Sequence, residues 1–429
     1  MKVVSSKINA ITATCPACGL LCDDVLVKNN NNNKIKVLAN GCTKSISFFE
    51  QTSNDTAPQI NGKPVTLQQA ISHAATLIKA SQQPLFAGLS TDVAGFRAIY
   101  NLAKKTNANI QHINAQSMAR NMKVLQSTGW QTTTLTEVKN HADVIVCFGD
   151  ITTHNPRFFE RFVDVNGMFI DASQREVIFI SEKVDALESA SLLACSAVDL
   201  PEITLVIRAL VGGKVLKAHQ VAGIKISDLQ VVADKLKTAK YAVLAWAAKD
   251  LDFPHAELTI QNITEIVAIL NATTRAAGLP LGGSDGDTTA NNANTWLSGL
   301  ALNDEAFEHD LMIWVNSFSA EKLPPKTNTP LIIIGNLAPF PRFRAPYPAY
   351  GRGLLSETSL SPTAAGGAVW TSGNTTQISD VFIPVATPGL DCSGTLFRVD
   401  SSVILPLKKC RENDLLTLSE VLRHIENLL

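Results

Sequence analysis

The sequence has few charged residues and no long apolar run. Charged residues make up 17% of the 429, and the 37 lysines and arginines nearly balance the 38 acidic residues, for a net charge of -1. This balance excludes a whole-chain electrostatic footprint for nucleic acid or an anionic membrane. The longest apolar run, Tyr241 to Ala248, is far shorter than the roughly 20 residues of a membrane span. A hydrophobic content of 45% excludes disorder, so we expect a folded chain with protein or small-ligand partners.

The start of the chain also lacks a secretory pattern. Met1 to Lys7 contains two lysines but no apolar region and no small-residue cleavage site. The eight cysteines are too few and too unevenly spaced for a disulfide scaffold. We therefore expect a cytoplasmic protein.

Residues 1 to about 58 form a small unit of strands and turns in this interpretation. Two strand-like runs, Val25–Val27 and Lys34–Val37, flank the segment Asn29–Asn33. Because asparagine tolerates a left-handed backbone, the pattern predicts a hairpin with a solvated tip.

From residue 59 onward, apolar strands alternate with amphipathic helices. One helix is predicted to begin after Thr66, with Gln69 completing a capping box, and another to span Glu257 to Leu270. This alternation predicts parallel sheets covered on both faces, and the length favours two α/β domains beside the small N-terminal unit. The predicted strands are Leu85–Leu89, Val144–Phe148, Val177–Ile180, Ala242–Trp246, Leu311–Val315 and Leu331–Ile334.

Four of the eight cysteines, Cys15, Cys18, Cys22 and Cys42, lie close together in the sequence. Thiolates are soft ligands, and four of them suit either tetrahedral zinc or a four-iron cluster. Three cysteines within eight residues, closed by a distant fourth, favour a [4Fe–4S] cluster, while zinc and no metal remain alternatives. The other cysteines are expected to be small buried apolar residues: Cys147, Cys195, Cys392 and Cys410.

The cysteine pattern, with Lys44 two residues after the fourth cysteine, resembles the N-terminal cluster segment of molybdenum or tungsten bis-pterin oxidoreductases. The run Cys18–Asp24 resembles the B subunit of formylmethanofuran dehydrogenase in particular. So do His154–Arg157, Asp380–Gly389 and Gly394–Asp400. These motifs lie at both ends and in the middle of the chain, so the resemblance covers nearly all of it.

The resemblance implies an α/β fold with a small N-terminal cluster domain and two Rossmann-like domains, one inserted in the other. By that pattern residues 1–58 hold the cluster. Residues 59–115 and 306–429 form a nucleotide-binding-like domain, and residues 116–305 form the insert.

The resemblance also implies that a metal site has been lost at Met118 and Ala119. Active members of the family have a Cys-His pair here, and the cysteine is a ligand of tungsten or molybdenum. A thioether is not a thiolate and a methyl group cannot relay a proton, so both the metal ligand and the acid/base group are missing. We therefore expect tungsto- or molybdopterin to be absent.

A glycine-rich segment, Arg275 to Asp287, aligns with the loop that holds the pterin phosphates in active members. Asp285 and Asp287 are expected to face that region, where negative charge opposes anion binding. The residues themselves predict a tight turn without a ligand.

These losses point to the B subunit of the bacterial formyltransferase/hydrolase complex, which acts in tetrahydromethanopterin-linked oxidation of formaldehyde to formate. The resemblance implies an amidohydrolase-like A subunit, a C subunit and a formyltransferase D subunit as partners, with neither nucleic acid nor membrane. The chain would have a structural role in the complex. A cluster bound by its four cysteines would cross-link the small N-terminal domain.

Two other functions remain open at this point. One is an active tungsten or molybdenum formylmethanofuran dehydrogenase subunit with an unusual metal ligand, and the other is an iron–sulfur electron-transfer subunit. His154 and Arg157 are expected to cap or stabilise the turn after the Val144 strand. Arg342 and Arg344, in a proline-rich loop, are a hypothetical subunit contact.

Overall fold

The fold is known from a computed structural model. The structure describes residues 10–30, 33–51, 57–183, 190–302, 305–319, 322, 324–325, 327–336 and 380–429. The predicted subunit contact at Arg342 and Arg344 lies outside these residues.

The strands are named here in chain order. They are β1 (Ala10–Ala13), β2 (Val25–Asn29), β3 (Ile35–Ala39), β4 (Gln59–Ile60), β5 (Lys63–Pro64), β6 (Pro84–Ser90), β7 (Asn109–His112), β8 (Val144–Phe148), β9 (Glu176–Ser181), β10 (Ser191–Ala194), β11 (Gln220–Val221), β12 (Ile224–Lys225), β13 (Ala242–Ala247), β14 (Ala276–Leu281), β15 (Leu311–Asn316), β16 (Leu331–Gly335), β17 (Val381–Pro384), β18 (Gly394–Phe397) and β19 (Ile404–Leu407).

The helices are named in the same way. They are α1 (Thr43–Phe49), α2 (Leu67–Ala80), α3 (Val93–Thr106), α4 (Ala115–Thr128), α5 (Leu135–His141), α6 (Ile151–His154), α7 (Phe158–Phe162), α8 (Leu200–Val211), α9 (Ile226–Thr238), α10 (Glu257–Leu270), α11 (Asp287–Ser298) and α12 (Leu418–Glu426). None of the helices within the described ranges is long and apolar enough to cross a membrane.

The N-terminal unit is a three-stranded antiparallel sheet in the order β1-β2-β3, followed by α1. The predicted hairpin is confirmed, and Asn30 and Asn33, the described residues of its tip, are exposed as predicted. Asn29 Nδ2 donates to the Cys410 carbonyl at 3.2 Å, and Asn33 Nδ2 donates to the Glu412 carbonyl at 2.6 Å. The asparagine amides therefore attach the hairpin to the C-terminal part of the chain.

A five-stranded parallel sheet has the order β10-β9-β8-β13-β14. All residues of β8 and β13 are buried, as expected for parallel strands covered on both faces. Helices α8, α9 and α10 form one core with this sheet. The strands predicted near Val144, Val177 and Ala242 are confirmed, and α10 has the predicted bounds.

The second large sheet has seven strands in the order β5-β4-β17-β16-β15-β6-β7. Its five longer strands are parallel, and β4 pairs antiparallel with β17 at the edge. These strands come from both sides of the five-stranded sheet in the sequence, and α11 packs against α3 and β6 of this second sheet. The predicted α/β fold class is confirmed.

The capping box predicted at the start of α2 is present. Thr66 Oγ1 accepts from the Gln69 backbone N–H at 3.3 Å, and Gln69 Oε1 accepts from the Thr66 N–H at 2.9 Å. Both side chains therefore satisfy backbone donors that the helix leaves unpaired.

Candidate functional site

The loop between β1 and β2 carries three of the four clustered cysteines. Its ends are joined by the Cys15 N–H, which donates to the Cys22 carbonyl at 2.9 Å, and Leu21 within it has a φ of 47°. Cys15, Cys18 and Cys22 are buried, and Cys42 precedes α1 as its N-cap residue with partial exposure. The fold therefore brings a short loop and a helix start together.

The four thiols influence one another electrostatically. Burial raises the pKa of Cys15 well above its ordinary value, and the charges of the other three cysteines raise it further. Burial also raises the pKa of Cys18 to about 12. This donor set is the one that soft metals and iron–sulfur clusters take. In the described part of the chain, however, no three His, Cys, Asp or Glu side chains form a group that could hold a metal ion, so the [4Fe–4S] cluster stays a prediction.

Arg157 joins the cysteine loop to the end of the five-stranded sheet. Its guanidinium donates to Asp24 Oδ1 at 2.7 Å and Oδ2 at 2.9 Å, and to Glu160 Oε1 at 2.6 Å. Arg157 is the N-cap residue of α7, but its side chain makes no capping hydrogen bond. Of the two predicted roles, capping or stabilising the turn, the Arg157 side chain has the second, through its ion pairs with Asp24 and Glu160.

His154 holds a neighbouring position at the end of α6. Its Nε2 lies 2.6 Å from Asp250 Oδ1, beyond the end of β13, and its carbonyl accepts from Lys44 Nζ at 2.8 Å. These contacts stabilise the turn after β8, as predicted, and also attach it to the segment that follows Cys42.

Arg161, one helical turn after Arg157, contacts the cysteine loop directly. Its Nη2 donates to Asp23 Oδ1 at 2.6 Å, and Asp23 directly follows Cys22 in the chain. Burial raises the pKa of the Cys22 thiol, and the charge of Arg161 opposes that rise. Nothing in the sequence indicated this contact, because Asp23 and Arg161 lie far apart along the chain.

Gly19 lies directly against the glycine-rich segment. A Cβ at Gly19 would lie 2.4 Å from the Gly282 carbonyl oxygen and 2.8 Å from Gly283 Cα. The Gly19 carbonyl also accepts from the Val399 N–H at 2.9 Å. Three segments that carried the sequence resemblance therefore meet at one point in the fold.

The sequence predicted a tight turn for the glycine-rich segment, but only part of the segment is a turn. Its first part is the parallel strand β14, and only Gly282 to Gly286 form the connection to α11. Gly283 and Gly286 have φ values of 78° and 72°, which side chains rarely adopt. The connection lies at the carboxyl end of a parallel strand, where ligands of α/β proteins bind.

A cleft of about 460 Å³ lies between α4, α11 and the carboxyl ends of β13 and β14. Met118, in the first turn of α4, lines it together with Lys249, Gly283, Asp287 and Asp400. None of the described residues that line the cleft is a cysteine or a histidine. A volume near 460 Å³ is within the usual range for one small organic ligand.

Ala119, next to Met118, is buried and does not line the cleft. Met118 packs its partly buried side chain against the core of the seven-stranded sheet. The structure therefore places a thioether at the cleft wall and a methyl group behind it.

Asp285 and Asp287 have different surroundings, which corrects the expectation that both face the cleft. Asp287 lines it and accepts from Asn114 Nδ2 at 3.1 Å. Asp285 is buried outside the lining, where Lys322 pairs with it and Lys249 Nζ lies 3.9 Å away. Burial raises the pKa of Asp285, but the charges of these lysines outweigh burial and lower it overall.

Lys249 was missed by sequence reasoning, although it directly follows the apolar run of β13. Burial lowers the pKa of Lys249, and its amine donates to Ser284 Oγ. A single lysine directly after a buried strand could have been recognised in the sequence as a candidate site residue. Its acidic partners could be identified only from the fold.

The remaining cysteines are largely as expected. Cys147, Cys195 and Cys410 are buried, while Cys392 is partly exposed. Burial raises the pKa of Cys195 and Cys410 to about 11, so these thiols are protonated at neutral pH.

Comparison with known proteins gives full-length relatives. The chain is 25% identical to the B subunit of the tungsten-containing formylmethanofuran dehydrogenase 2 of Methanococcus maripaludis, over 92% of each chain. The same subunit of Methanocaldococcus jannaschii is also 25% identical, with the same coverage. The B subunit of the formyltransferase/hydrolase complex Fhc of Methylorubrum extorquens is 33% identical over 94 residues, which are 22% of this chain and 26% of that protein. No protein-family model matches the chain.

A solved structure has the same fold. The crystal structure of the formyltransferase/hydrolase complex FhcABCD from Methylorubrum extorquens, in complex with methylofuran, contains a chain that superposes with a TM-score of 0.65. The superposition covers 87% of this chain and 98% of the other, at 21% identity. The predicted resemblance to the B subunits of formylmethanofuran dehydrogenase and of the formyltransferase/hydrolase complex is confirmed.

Proposed function

We propose that this chain is a B-type subunit of a formyltransferase/hydrolase complex that has kept the fold of its formylmethanofuran dehydrogenase counterpart without the metal–pterin centre. One observation carries the proposal: the cleft wall presents the thioether of Met118 where active relatives are expected to have a metal-binding thiolate. Thiolate is an anionic soft ligand and thioether is not, so Met118 cannot replace it.

The rest of the cleft does not fit a tungsten or molybdenum pterin group either. Lys249 is the one cation among the described residues of its lining, and it already contacts Ser284 and Asp285. Asp287 adds a carboxylate to the lining. Phosphates need positive charge or free N–H donors, so this wall disfavours them.

The proposed partners follow from the complex with the matching fold, which has A, B, C and D subunits. In this proposal the chain assembles with counterparts of those subunits and contributes architecture rather than catalysis. The proposed reaction of the whole complex is transfer and hydrolysis of a formyl group, within the oxidation of formaldehyde to formate.

The proposal assigns the four cysteines, Cys15, Cys18, Cys22 and Cys42, to a structural [4Fe–4S] cluster. The spacing of the four cysteines in the sequence and their position on one loop and the start of α1 support this assignment. When bound, such a cluster would supply a covalent cross-link to a small three-stranded unit that has little core of its own.

The second candidate is an active tungsten-dependent formylmethanofuran dehydrogenase subunit. The names of the two full-length relatives favour it, since both are tungsten-containing enzymes. The two candidates differ in metal content, because the active enzyme needs tungsten or molybdenum and the proposed subunit needs neither.

The test is elemental analysis of the complex purified from its native host through a tag on this chain. We expect neither tungsten nor molybdenum, and co-purification of A-, C- and D-type subunits identified by mass spectrometry. Tungsten or molybdenum near one atom per chain would overturn the proposal and favour the dehydrogenase. Recovery of the chain alone would overturn the proposed assembly.

A further inference from the structure

The loop between α7 and β9 presents two large apolar side chains to solvent. Met168 is 76% exposed and Phe169 is 67% exposed, and they are neighbours in the chain. Single exposed apolar residues are common on soluble proteins, but a contiguous pair of large ones is a candidate contact site. The functions above do not use this pair, which belongs to residues 165–170, here called the Met168 loop.

Hydrogen bonds fix the backbone of the Met168 loop. The Gly167 N–H donates to the Ile170 carbonyl at 2.8 Å, which closes the loop. The Met168 N–H donates to Asn140 Oδ1 at 3.1 Å, and the Phe169 N–H donates to the Asn140 carbonyl at 3.3 Å. Both exposed residues are therefore attached through their backbone to the last turn of α5.

Arg175 also holds the loop in place. Its guanidinium donates to the Val165 carbonyl at 2.8 Å and to the carbonyls of Val163 and Lys139. A Cβ at Gly167 would lie 2.1 Å from the Lys139 carbonyl oxygen, so the loop packs closely against α5. The guanidinium of Arg175 is therefore engaged by backbone carbonyls of its own chain.

The Phe169 ring has a fixed orientation as well. It stacks on the His141 imidazole with a centroid separation of 4.6 Å and an interplanar angle of 17°, and His141 makes a T-shaped contact with Tyr241. A side chain that is already ordered loses little conformational freedom on binding, and phenylalanine and methionine are enriched in protein interfaces. The loop therefore presents a preorganised pair of side chains of the kind that interfaces use.

Negative charge borders the apolar pair. Asp164 and Asp171 lie before and after the loop in the chain, and both are exposed. Residues 163–174 contain no lysine or arginine, and the guanidinium of Arg175 donates to backbone carbonyls. A partner that complements this surface has an apolar pocket with basic side chains at its border.

The same charges argue against a second copy of this chain as the partner. A symmetric contact places one patch against the identical patch, so the Met168 loop would face its own counterpart. Asp164 and Asp171 would then approach the same two carboxylates of the other copy, and like charges at a contact oppose binding. A different protein with basic side chains fits the surface better.

We propose that the Met168 loop is a contact site for another subunit of the complex, and that Met168 and Phe169 enter an apolar pocket bordered by lysine or arginine. The inference rests on the proposed function, which supplies A-, C- and D-type subunits as partners. Met168 and Phe169 are the central contacts, while Asp164 and Asp171 orient the partner at the border.

The test is purification through a tag on this chain, with the recovery of each other subunit quantified by mass spectrometry. The double variant Met168→Ser, Phe169→Ser should lower the recovery of at least one subunit about tenfold relative to wild type. The control is Val215→Ser, which removes an apolar side chain that is 95% exposed, in the segment after α8. It should leave the recovery of every subunit unchanged.

A charge variant tests the loop without changing the apolar pair. Asp164→Lys with Asp171→Lys should lower the recovery of the same subunit, and more strongly at low than at high salt. If the double serine variant does not fold, the charge variant decides, because both of its substitutions are at exposed positions. Recovery that is unchanged at low salt would overturn the inference.

Photo-cross-linking identifies the partner. The complex is purified with the variant Met168→p-benzoylphenylalanine, irradiated, and digested for mass spectrometry. We expect a cross-link to the subunit whose recovery the serine and lysine variants lower. A cross-link to a second copy of this chain would overturn the proposed partner.

The outcomes separate this inference from the proposed function. A wild-type complex whose composition is the same in the serine and lysine variants would overturn the role of the loop alone. Wild-type chain recovered without other subunits would overturn both the proposed assembly and the role of the loop. Tungsten or molybdenum in the same samples would overturn the proposed function without affecting the cross-link.

Discussion

The carboxylate of Asp24 accepts two hydrogen bonds from the guanidinium of Arg157, at 2.7 and 2.9 Å. Asp24 ends the cysteine motif of the N-terminal unit, and Arg157 follows the central strand β8 of the five-stranded sheet. Two sequence motifs that resemble the formylmethanofuran dehydrogenase family therefore contact each other in the fold. Such bidentate pairs fix orientation as well as distance.

Replacing Arg157 by methionine should destabilise the protein. The side chain of Arg157 is only 5% exposed, and its loss leaves Asp24 with Arg161 alone, at 3.9 Å, and removes the close ion pair of Glu160. Because both carboxylates can reach water, we expect a loss of about 1–3 kcal/mol in the free energy of unfolding, measured by urea denaturation. Arg208→Met is the control, and an equal loss in both variants would contradict a special role for Arg157.

Gly19→Ala should separate the cysteine loop from the glycine-rich connection. The new Cβ would lie 2.4 Å from the Gly282 carbonyl oxygen, so one backbone must move. We expect a loss of about 1–3 kcal/mol in unfolding free energy. Gly282→Ala is a matched control, because nothing lies within 4 Å of its new Cβ, and it should stay within about 0.5 kcal/mol of wild type. Equal stability of the two variants would show that the contact is loose.

Cys18→Ala should reduce the iron content of the purified protein, because a ligand of the proposed cluster is lost. Cys147→Ala is the control: Cys147 is also buried, but it belongs to the strand β8 and not to the cysteine loop. Iron and acid-labile sulfide per chain are the measurement. Unchanged iron in Cys18→Ala, or an equal loss in Cys147→Ala, would refute the assignment of the ligands.

Asp285→Asn should weaken the acid sensitivity of the fold. The pKa of Asp285 is lowered in the folded protein, because the charges of Lys322 and Lys249 outweigh the opposing effect of burial. A lowered pKa contributes stability above the unfolded value of about 4, and that stability is lost as pH falls through the folded value. We therefore expect the variant to be less stable at pH 7 and to lose less unfolding free energy between about pH 5 and pH 2.

The control for this comparison is Asp228→Asn, at an exposed position on α9. It should keep the wild-type pH dependence. Identical pH profiles for wild type and Asp285→Asn would mean that the lysines do not stabilise the ionised carboxylate.

The alternating fold class could be predicted because its signals are local. The strand β13 and the helix α10 each show their own hydrophobic pattern, and both have nearly the predicted bounds. The resemblance similarly identified the segments that meet at Gly19. Local composition was misleading at residues 276–281, because glycine and proline there predicted a turn. The segment instead forms the strand β14, which is buried beside a neighbouring strand.

The electrostatic partners could not be predicted, because they depend on pairs distant in sequence. Asp285 was expected to repel anions in the cleft, but the fold gives it Lys322 and Lys249 as neighbours. The ion pair of Arg161 with Asp23 was missed for the same reason. The sequence shows which charged residues the chain contains, but the topology of the fold determines which of them form ion pairs.

The contacts of the cysteine loop also have a consequence for synthesis on the ribosome. Asp24 pairs with Arg157, and the Gly19 carbonyl accepts from the N–H of Val399, near the other end of the chain. Contacts between residues so far apart form late and slowly. The loop that is translated early is therefore completed among the last parts of the fold, and the proposed cluster would be inserted into the finished polypeptide rather than into the nascent one.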